Sequence, residues 1–533
     1  MLARVRSGAL IGVDAVVVEV EVDMTLGLPF FHVVGLPEGA VRESKVRVVS
    51  ALKNSGFDLP SKRITVNLAP ADIRKEGAAF ELPIALAVLG ASGYLPVASL
   101  DRFLVAGELS LDGAVKPIRG VLPLAVAARD GRFEGVLVPA ANAAEAGLVD
   151  RIEIIPVHTL LEAAEHLGGH LTVAPWKPSL RSEGVPPPAS VDMADVRGQG
   201  DVKEALELAA AGGHNVLMCG PPGSGKTMLA RRLPTILPRM GFAEALEVTK
   251  VYSVLGLLPE GQSLLGERPF RAPHHTVSDA GLVGGGPLAR PGELSMAHHG
   301  VLFLDELPEF RKNVLEVLRQ PLEDGVVHLA RANLNVSYPA RVMLVTAMNP
   351  CPCGYWQVRE RTCSCSVSKV LEYHARVSGP LLDRIDISLF TRPVDVLRIL
   401  AAEVEEKPSA LFRARVEEAR DRQRHRFAGH RGIYCNAQMG TRLMRQHCRM
   451  RPHALRMLEA AMRRHALSAR AHDRILKLAR TRADLEGHAR IEDADVQLAV
   501  DCRVLDRRGF LIGGSAALDT ASHRFRRAFG EQP

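Results

Sequence analysis

The chain lacks any uninterrupted apolar run long enough to span a bilayer. Its longest candidate, Leu82 to Leu100, contains two prolines, two glycines and two serines and reads as a buried helix followed by a turn, so no membrane partner is expected. A secretory leader is not expected either, because the apolar stretch after Met1 to Arg6 is broken at Asp14 and followed by acids. The eight cysteines are not spread as a disulfide framework: four fall between Cys351 and Cys365, which fits a reducing cytoplasm. Acids are scarce between positions 441 and 480, where two face eleven Lys or Arg, although the net charge of the whole chain is only +7. That asymmetry points to a polyanionic partner. With 533 residues, 47% of them apolar and 24% charged, the chain is an ordinary globular protein of three or four compact units.

Residues 1 to about 170 alternate strand-like and helix-like stretches. Ala15–Val22 and Arg63–Leu68 read as strands, Gly39–Ser55 as a helix with Val41, Val46, Val49 and Leu52 on one side, and Phe80–Gly90 as a second helix, giving an α+β unit with its own core. The basic positions Arg42, Lys45, Arg47, Lys53, Lys62 and Arg63 could face nucleic acid or simply solvate a helix. A proline-rich linker runs from Pro175 to Pro188. A helix, Asp201–Ala211, then leads to the apolar run Val216–Met218.

The loop after that run is Gly220, Pro221, Pro222, Gly223, Ser224, Gly225, Lys226 and Thr227. The spacing G-x-x-x-x-G-K-[ST] lets backbone N–H groups turn inward around a polyphosphate at the positive end of the following helix. Lys226 would reach the outer phosphates and Thr227 would hold Mg²⁺, so ATP and Mg²⁺ are the predicted cofactors. Downstream, Gly300–Glu306 is an apolar strand ending in two acids. Asp305 would bind Mg²⁺ through water and Glu306 would polarise the attacking water. The strand Arg341–Asn349 ends in a polar residue suited to orient that water. Between them, Val326–Arg331 and Val336–Tyr338 predict a β-hairpin, with Arg331 a candidate substrate contact.

Cys351, Cys353, Cys363 and Cys365 form two close pairs, compatible with a structural Zn²⁺, with a redox disulfide or with unliganded thiols. A zinc there would have four sulfur ligands and no open position. His274–His275 and His298–His299 have no helical spacing, and adjacent side chains are expected to diverge, so no metal site is predicted at either pair. In Ala471–Arg480, Ile475 and Leu478 are predicted to be buried while Arg474 and Lys477 stay outside.

Two resemblances follow from these residues. Ile64–Gly77 and Gly107–Ile118 resemble the proteolytic domain of Lon proteases, of the ribosomal protein S5 domain 2 superfold. The position of that family's serine holds Ala79 and its lysine falls near Leu122. A serine–lysine dyad needs both side chains, which implies a non-proteolytic scaffold. Gly220–Thr227, Leu304–Glu306, Asn349 and Gly379–Asp386 resemble the AAA+ ATPases of the magnesium-chelatase-like group. More narrowly, Phe270–Thr276, Gly284–Gly286, Pro291–Glu293 and Asn349–Gly354 resemble the YifB/ComM family.

The resemblance implies an α/β fold class with an S5 domain 2-like unit (1–172), a linker (173–192), a P-loop α/β core with inserts (193–395), a helical lid (396–510) and a tail (511–533). It implies a ring, usually hexameric, with ATP at subunit interfaces, Arg384 as an arginine finger and Arg470 as the second sensor arginine of the lid. The histidine pairs would lie on insertions facing the ring's channel. The implied activity is an ATP-driven DNA translocase or helicase acting on branched or single-stranded DNA, promoting branch migration in recombination and natural transformation. The motor subunit of a metal chelatase and a protein-remodelling chaperone are the alternatives.

Overall fold

A computed structural model describes residues 2–503 except 37–38, 76, 178–190, 260, 287–288, 332–333, 357, 359–360, 394–405, 431 and 466. The predicted tail and the greater part of the predicted linker lie outside the described residues.

The N-terminal unit is built on strands β1 (Leu2–Ile11), β2 (Asp14–Thr25), β3 (Phe30–Val34), β4 (Arg63–Ala69), β5 (Phe103–Val105), β6 (Gly135–Pro139) and β7 (Glu153–Val157). They form one seven-stranded sheet in the order β3-β4-β2-β1-β5-β6-β7. β1 pairs antiparallel with β2 along its whole length, and β2 buries Val18, Val20 and Val22, the period of a one-sided strand. The helix Glu81–Ser92 is buried almost throughout, which is why its sequence is apolar all round. In the helix Gly39–Asn54 the buried side chains include Val41, Ser44, Val48, Ala51 and Leu52, whereas Val46 is 66% exposed, contrary to the predicted face. At 100° per residue Val46 lies about 140° round the helix from Val41. Trp176 N–H donates to Ile154 O at 2.7 Å, so this unit's packing runs through Trp176.

The second unit carries β8 (Val216–Cys219), β9 (Phe270–Arg271), β10 (Val301–Leu304), β11 (Val326–Arg331), β12 (Leu334–Pro339), β13 (Met343–Met348) and β14 (Ile387–Phe390). Five of these make a wholly parallel sheet in the order β9-β10-β13-β8-β14, while β11 and β12 form an antiparallel hairpin. Alternation along β8 splits the core. Val216 and Met218 join a cluster shared with the C-terminal helices, and Leu217 and Cys219 join one with Leu302, Leu304 and Leu344 on the opposite face. A sheet covered on both faces needs the continuous apolar strands seen in the sequence.

The C-terminal helices Ser409–Arg426, Thr441–His447, Pro452–His465, Ala469–Glu486 and Asp493–Asp501 pack onto the first face, so the lid shares one core with the sheet. The N-terminal unit docks on the helix Phe242–Leu255. There Lys250 Nζ lies 3.2 Å from Asp14 Oδ1, Gly120 N–H donates to Ser253 O at 3.1 Å, and Ser253 Oγ donates to buried Glu145.

Glu145 Oε1 also accepts Leu122 N–H at 3.0 Å, so Glu145→Ala strands a buried donor as well as cutting the bond between units. The expected cost is about 1–3 kcal/mol, read as a lower first transition in thermal unfolding. An unchanged first transition would mean that Glu145 does not fasten the two units.

Candidate nucleotide site and thiol centre

In a parallel sheet every strand delivers its carboxyl end to the same edge, and that edge is where α/β proteins bind ligands. Here β8 runs into Gly220, β10 into Asp305 and β13 into Asn349. Gly223 and Gly225 have φ of +76° and +84°, the left-handed conformation that turns the loop back on itself. Gly225 then caps the helix Lys226–Ile236.

Lys226 Nζ donates to the carbonyls of Gly220 and Pro221 at 2.7 and 2.9 Å and lies 3.3 Å from Asn349 Oδ1. Burial holds its pKa below the usual lysine range, opposed by Cys219, Asp305 and Glu306. Ser224 Oγ and Thr391 Oγ1 are 2.9 Å apart, tying the loop to the end of β14. Thr227 Oγ1 donates to Asp305 Oδ2 at 2.6 Å. A hydroxyl and a carboxylate side by side at the head of a helix are hard oxygen donors, which fit Mg²⁺.

Glu306 has φ of +52°, a constrained conformation for a residue with a side chain, and its N–H donates to Asp305 Oδ1 at 2.9 Å. Its carboxylate lies 3.5 Å from His275 Nδ1. His275 is thus a neighbour of the site that sequence reasoning assigned only to the substrate channel. A pairing across thirty positions leaves no local signal.

Arg384 and Arg470 lie elsewhere. Both line a cleft of about 540 Å³ whose wall includes Asn215, Gly300 and Met343, at the amino ends of β8, β10 and β13. Asn215 braces that end of the sheet: its Nδ2 donates to Arg384 O at 2.9 Å and its Oδ1 accepts Leu344 N–H at 2.8 Å. Arg384 Nε and Nη1 donate to Arg319 O and Pro380 O, each at 2.8 Å, and its Nη2 pairs with Glu323. Arg470 Nη1 lies 3.0 Å from Asp383 Oδ2. Since a four-residue strand spans roughly 13 Å, neither guanidinium meets the phosphate loop of its own chain. Arg474 and Lys477 turn inward, contrary to expectation. Arg474 pairs with buried Asp386, and Lys477 Nζ donates to Ala437 O at 2.7 Å. Asp386 also accepts Asn215 N–H at 3.0 Å, so its charge organises this end of the molecule.

The sulfur atoms of Cys351, Cys353, Cys363 and Cys365 all lie within 4.8 Å of one another. Cys351 to Cys353, Cys351 to Cys363 and Cys353 to Cys363 measure 3.3, 3.7 and 3.4 Å, close to the edge of about 3.8 Å expected for four thiolates around Zn²⁺. Trp356 N–H donates to Cys351 Sγ and Cys365 N–H to Cys363 Sγ, each at 3.3 Å, but burial outweighs these bonds and raises both thiols. Burial opposes the thiolate at Cys353, but N–H groups of Tyr355 and Ser364 outweigh it and bring this thiol down to about 6. The hairpin β11–β12 forms as expected, and the Arg331 side chain lies outside the described residues.

The histidine pairs do not diverge. The rings of His274 and His275 are 4.0 Å apart and those of His298 and His299 are 3.9 Å apart. His298 and His299 are buried rather than channel-facing, and their Nε2 atoms approach Glu247 Oε2 at 3.0 and 2.9 Å. Peptide geometry let both rings converge because Glu247 supplies a common acceptor. The trio is a poor metal site all the same. Arg341 N–H donates to His298 Nδ1 at 3.1 Å, so the neutral ring is assigned its proton on Nε2 and has no lone pair there for a metal.

A protein-family model described as "Magnesium chelatase, subunit ChlI" matches residues 192–398. Models described as "Subunit ChlI of Mg-chelatase" and "Magnesium chelatase, subunit ChlI C-terminal" match 20–142 and 406–503. The chain is 42% identical over 509 residues to YifB of Salmonella typhimurium, covering 95% of this chain and 98% of that protein. It is 41% identical over 519 residues to the competence protein ComM of Haemophilus influenzae, again covering 95% and 98%. An archaeal Lon protease of Methanothermobacter thermautotrophicus is 32% identical over 134 residues, 24% of this chain and 20% of that one.

Burial pushes His298 down to about 4, while the two histidine bonds hold Glu247 well below the carboxylate range. Between pH 6.5 and 4 the unfolded chain therefore takes up a proton at His298 that the folded chain refuses. Stability is full above pH 6.5 and falls on acidification, by roughly 3 kcal/mol across that window. His298→Gln is expected to be less stable at pH 7 and to show a flatter dependence of melting temperature on pH. An equal slope in both proteins would contradict the assignment.

Proposed function

The chain belongs to the magnesium chelatase ChlI-type AAA+ ATPases, with YifB and ComM among its relatives, and from that premise we propose that it is a ring motor that hydrolyses ATP between neighbouring copies and moves along DNA. The observation that carries the reading is the polarity of the sheet. Lys226, Thr227, Asp305 and Asn349 stand at one edge, and Arg384 and Arg470 at the other. In this reading Arg384 of one copy enters the nucleotide site of the next as the arginine finger, and Arg470 follows it from the lid. A planar guanidinium suits the charge that spreads over the transferring phosphoryl oxygens.

On each copy Lys226 and the loop N–H groups bind the polyphosphate, and Glu306 takes the proton of the attacking water, oriented with help from Asn349. Thr227 and Asp305 would hold Mg²⁺, which would supply charge neutralisation for the polyphosphate. Zn²⁺ at the four cysteines is a structural ion in the same reading. A heterologous contact of this kind closes into a ring, and the family resemblance implies that the ring is a hexamer.

DNA as the substrate, and branch migration in recombination and natural transformation as the task, are supported by the likeness to a competence protein and by the lid's charge. Arg442, Arg445, Arg449, Arg456, Arg463 and Arg464 are exposed there. The edge strand β3 adds a stacking face. Phe30 is half exposed, with Lys45 Nζ and the Arg63 guanidinium 5.9 and 5.8 Å from its ring centre.

ATP turnover with and without forked or four-way DNA tests this, with Glu306→Gln as the inactive control. Stimulation and strand displacement are expected. No response to DNA together with stimulation by a protein partner would overturn the reading in favour of a remodelling machine. Arg384→Ala is expected to bind nucleotide and lose about 10³-fold or more in kcat. Phe30→Ala with Lys45→Ala is expected to weaken single-strand binding without changing basal turnover, measured by fluorescence anisotropy.

A further inference from the structure

The thiol centre does not sit on a free-standing insert. Cys351 is fully buried and lies two residues beyond Asn349, whose side chain is 3.3 Å from Lys226 Nζ. Gly354 N–H donates to Cys351 O at 2.9 Å, closing the turn between the first two cysteines. The backbone of Gly354 then presses on the phosphate loop. A Cβ added there would stand 2.6 Å from Pro222 Cδ and 2.8 Å from Pro222 Cγ, at a φ of +88°. The intervening peptide is clamped as well, since Pro350 O lies 2.9 Å from His374 Nε2, and Gly220 N–H donates to Met348 O at 3.1 Å. Phosphate loop, water-orienting asparagine and thiolates are thus one packed block, with the four sulfurs the only part whose geometry a metal would set.

We propose that this centre is a zinc-dependent brace for ATP hydrolysis: the bound ion fixes the turn at Gly354, which holds Pro222 and Asn349 where turnover needs them. The inference rests on the zinc reading above and adds to it a role in catalysis rather than in folding alone. Four thiolates around Zn²⁺ leave no position for water, so the ion itself does no chemistry on the nucleotide. Its effect passes through position. Displacing a reacting group by an ångström costs about a hundredfold in rate, and disturbing residues that orient a site costs about 10- to 100-fold. Nucleotide affinity, supplied mainly by Lys226 and the loop N–H groups, should change far less.

The test uses the full-length chain. Metal content is measured by mass spectrometry on protein purified under reducing conditions, followed by removal with a zinc-selective chelator while Mg²⁺ stays in excess. The expected result is one zinc per chain, a fall of about 10- to 100-fold in kcat on removal and recovery when Zn²⁺ is returned, with the dissociation constant of a fluorescent ATP analogue little changed. Gly354→Ala, which alters no ligand, should keep its zinc and show the same loss of kcat. Metal-free protein with four reduced thiols would overturn the zinc reading itself. Bound zinc with unaltered kcat both after its removal and in Gly354→Ala would overturn the brace and leave the zinc reading standing.

Discussion

The constraint on which the molecule depends is the common direction of five short strands. Parallel pairing sends every carboxyl end to one edge, so the phosphate loop, Asp305 and Asn349 meet without any of them being near in sequence. The same pairing sends Asn215, Arg384 and Asp386 to the opposite edge, where the lid contributes Arg470 and Arg474. On the proposed reading, a chain built this way would hold both halves of a phosphoryl-transfer site without being able to bring its own halves together, and a directional contact, one edge of a copy facing the other edge of its neighbour, would complete it.

The two edges are coupled through the packed sheet and the lid. Val216 and Met218 share one core with the C-terminal helices, so the lid cannot tilt without disturbing the strand that feeds the phosphate loop. Buried Asp386, held by Arg474 and by Asn215 N–H, fastens the start of β14 to the lid. The helix Phe242–Leu255 links the other parts: one side holds the N-terminal unit through Lys250 and Ser253, and the other holds His298 and His299 through Glu247. The four-cysteine cluster, with Gly354 set against Pro222, completes the frame round the phosphate loop.

Much of this was legible in the sequence because it is written in short stretches. The eight residues Gly220–Thr227 impose their own backbone, the run Val301–Leu304 can only be a strand covered on both faces, and four cysteines within fifteen positions announce their proximity. What was not legible depends on distant partners. His298 and His299 share one oxygen of Glu247, fifty positions earlier. Arg474 looked like a solvated residue of an amphipathic helix until packing placed Asp386 beneath it. Val46 failed for a simpler reason, since 100° per residue carries it off the buried face. His275 beside Glu306 and Gly354 against Pro222 are tertiary contacts with no periodic or motif signature.

The account's central claim is that each hydrolytic site takes its acid from one copy and its guanidinium from the next. Turnover in an equal mixture of Arg384→Ala and Glu306→Gln chains, assembled together from separated subunits, measures this directly. Neither variant alone has a complete site, but in a mixed ring roughly a quarter of the contacts place an intact Glu306 beside an intact Arg384. The account predicts that mixing restores ATP hydrolysis to about that fraction of the parental rate. A mixture as inactive as its components, in rings shown to have exchanged subunits, would contradict it.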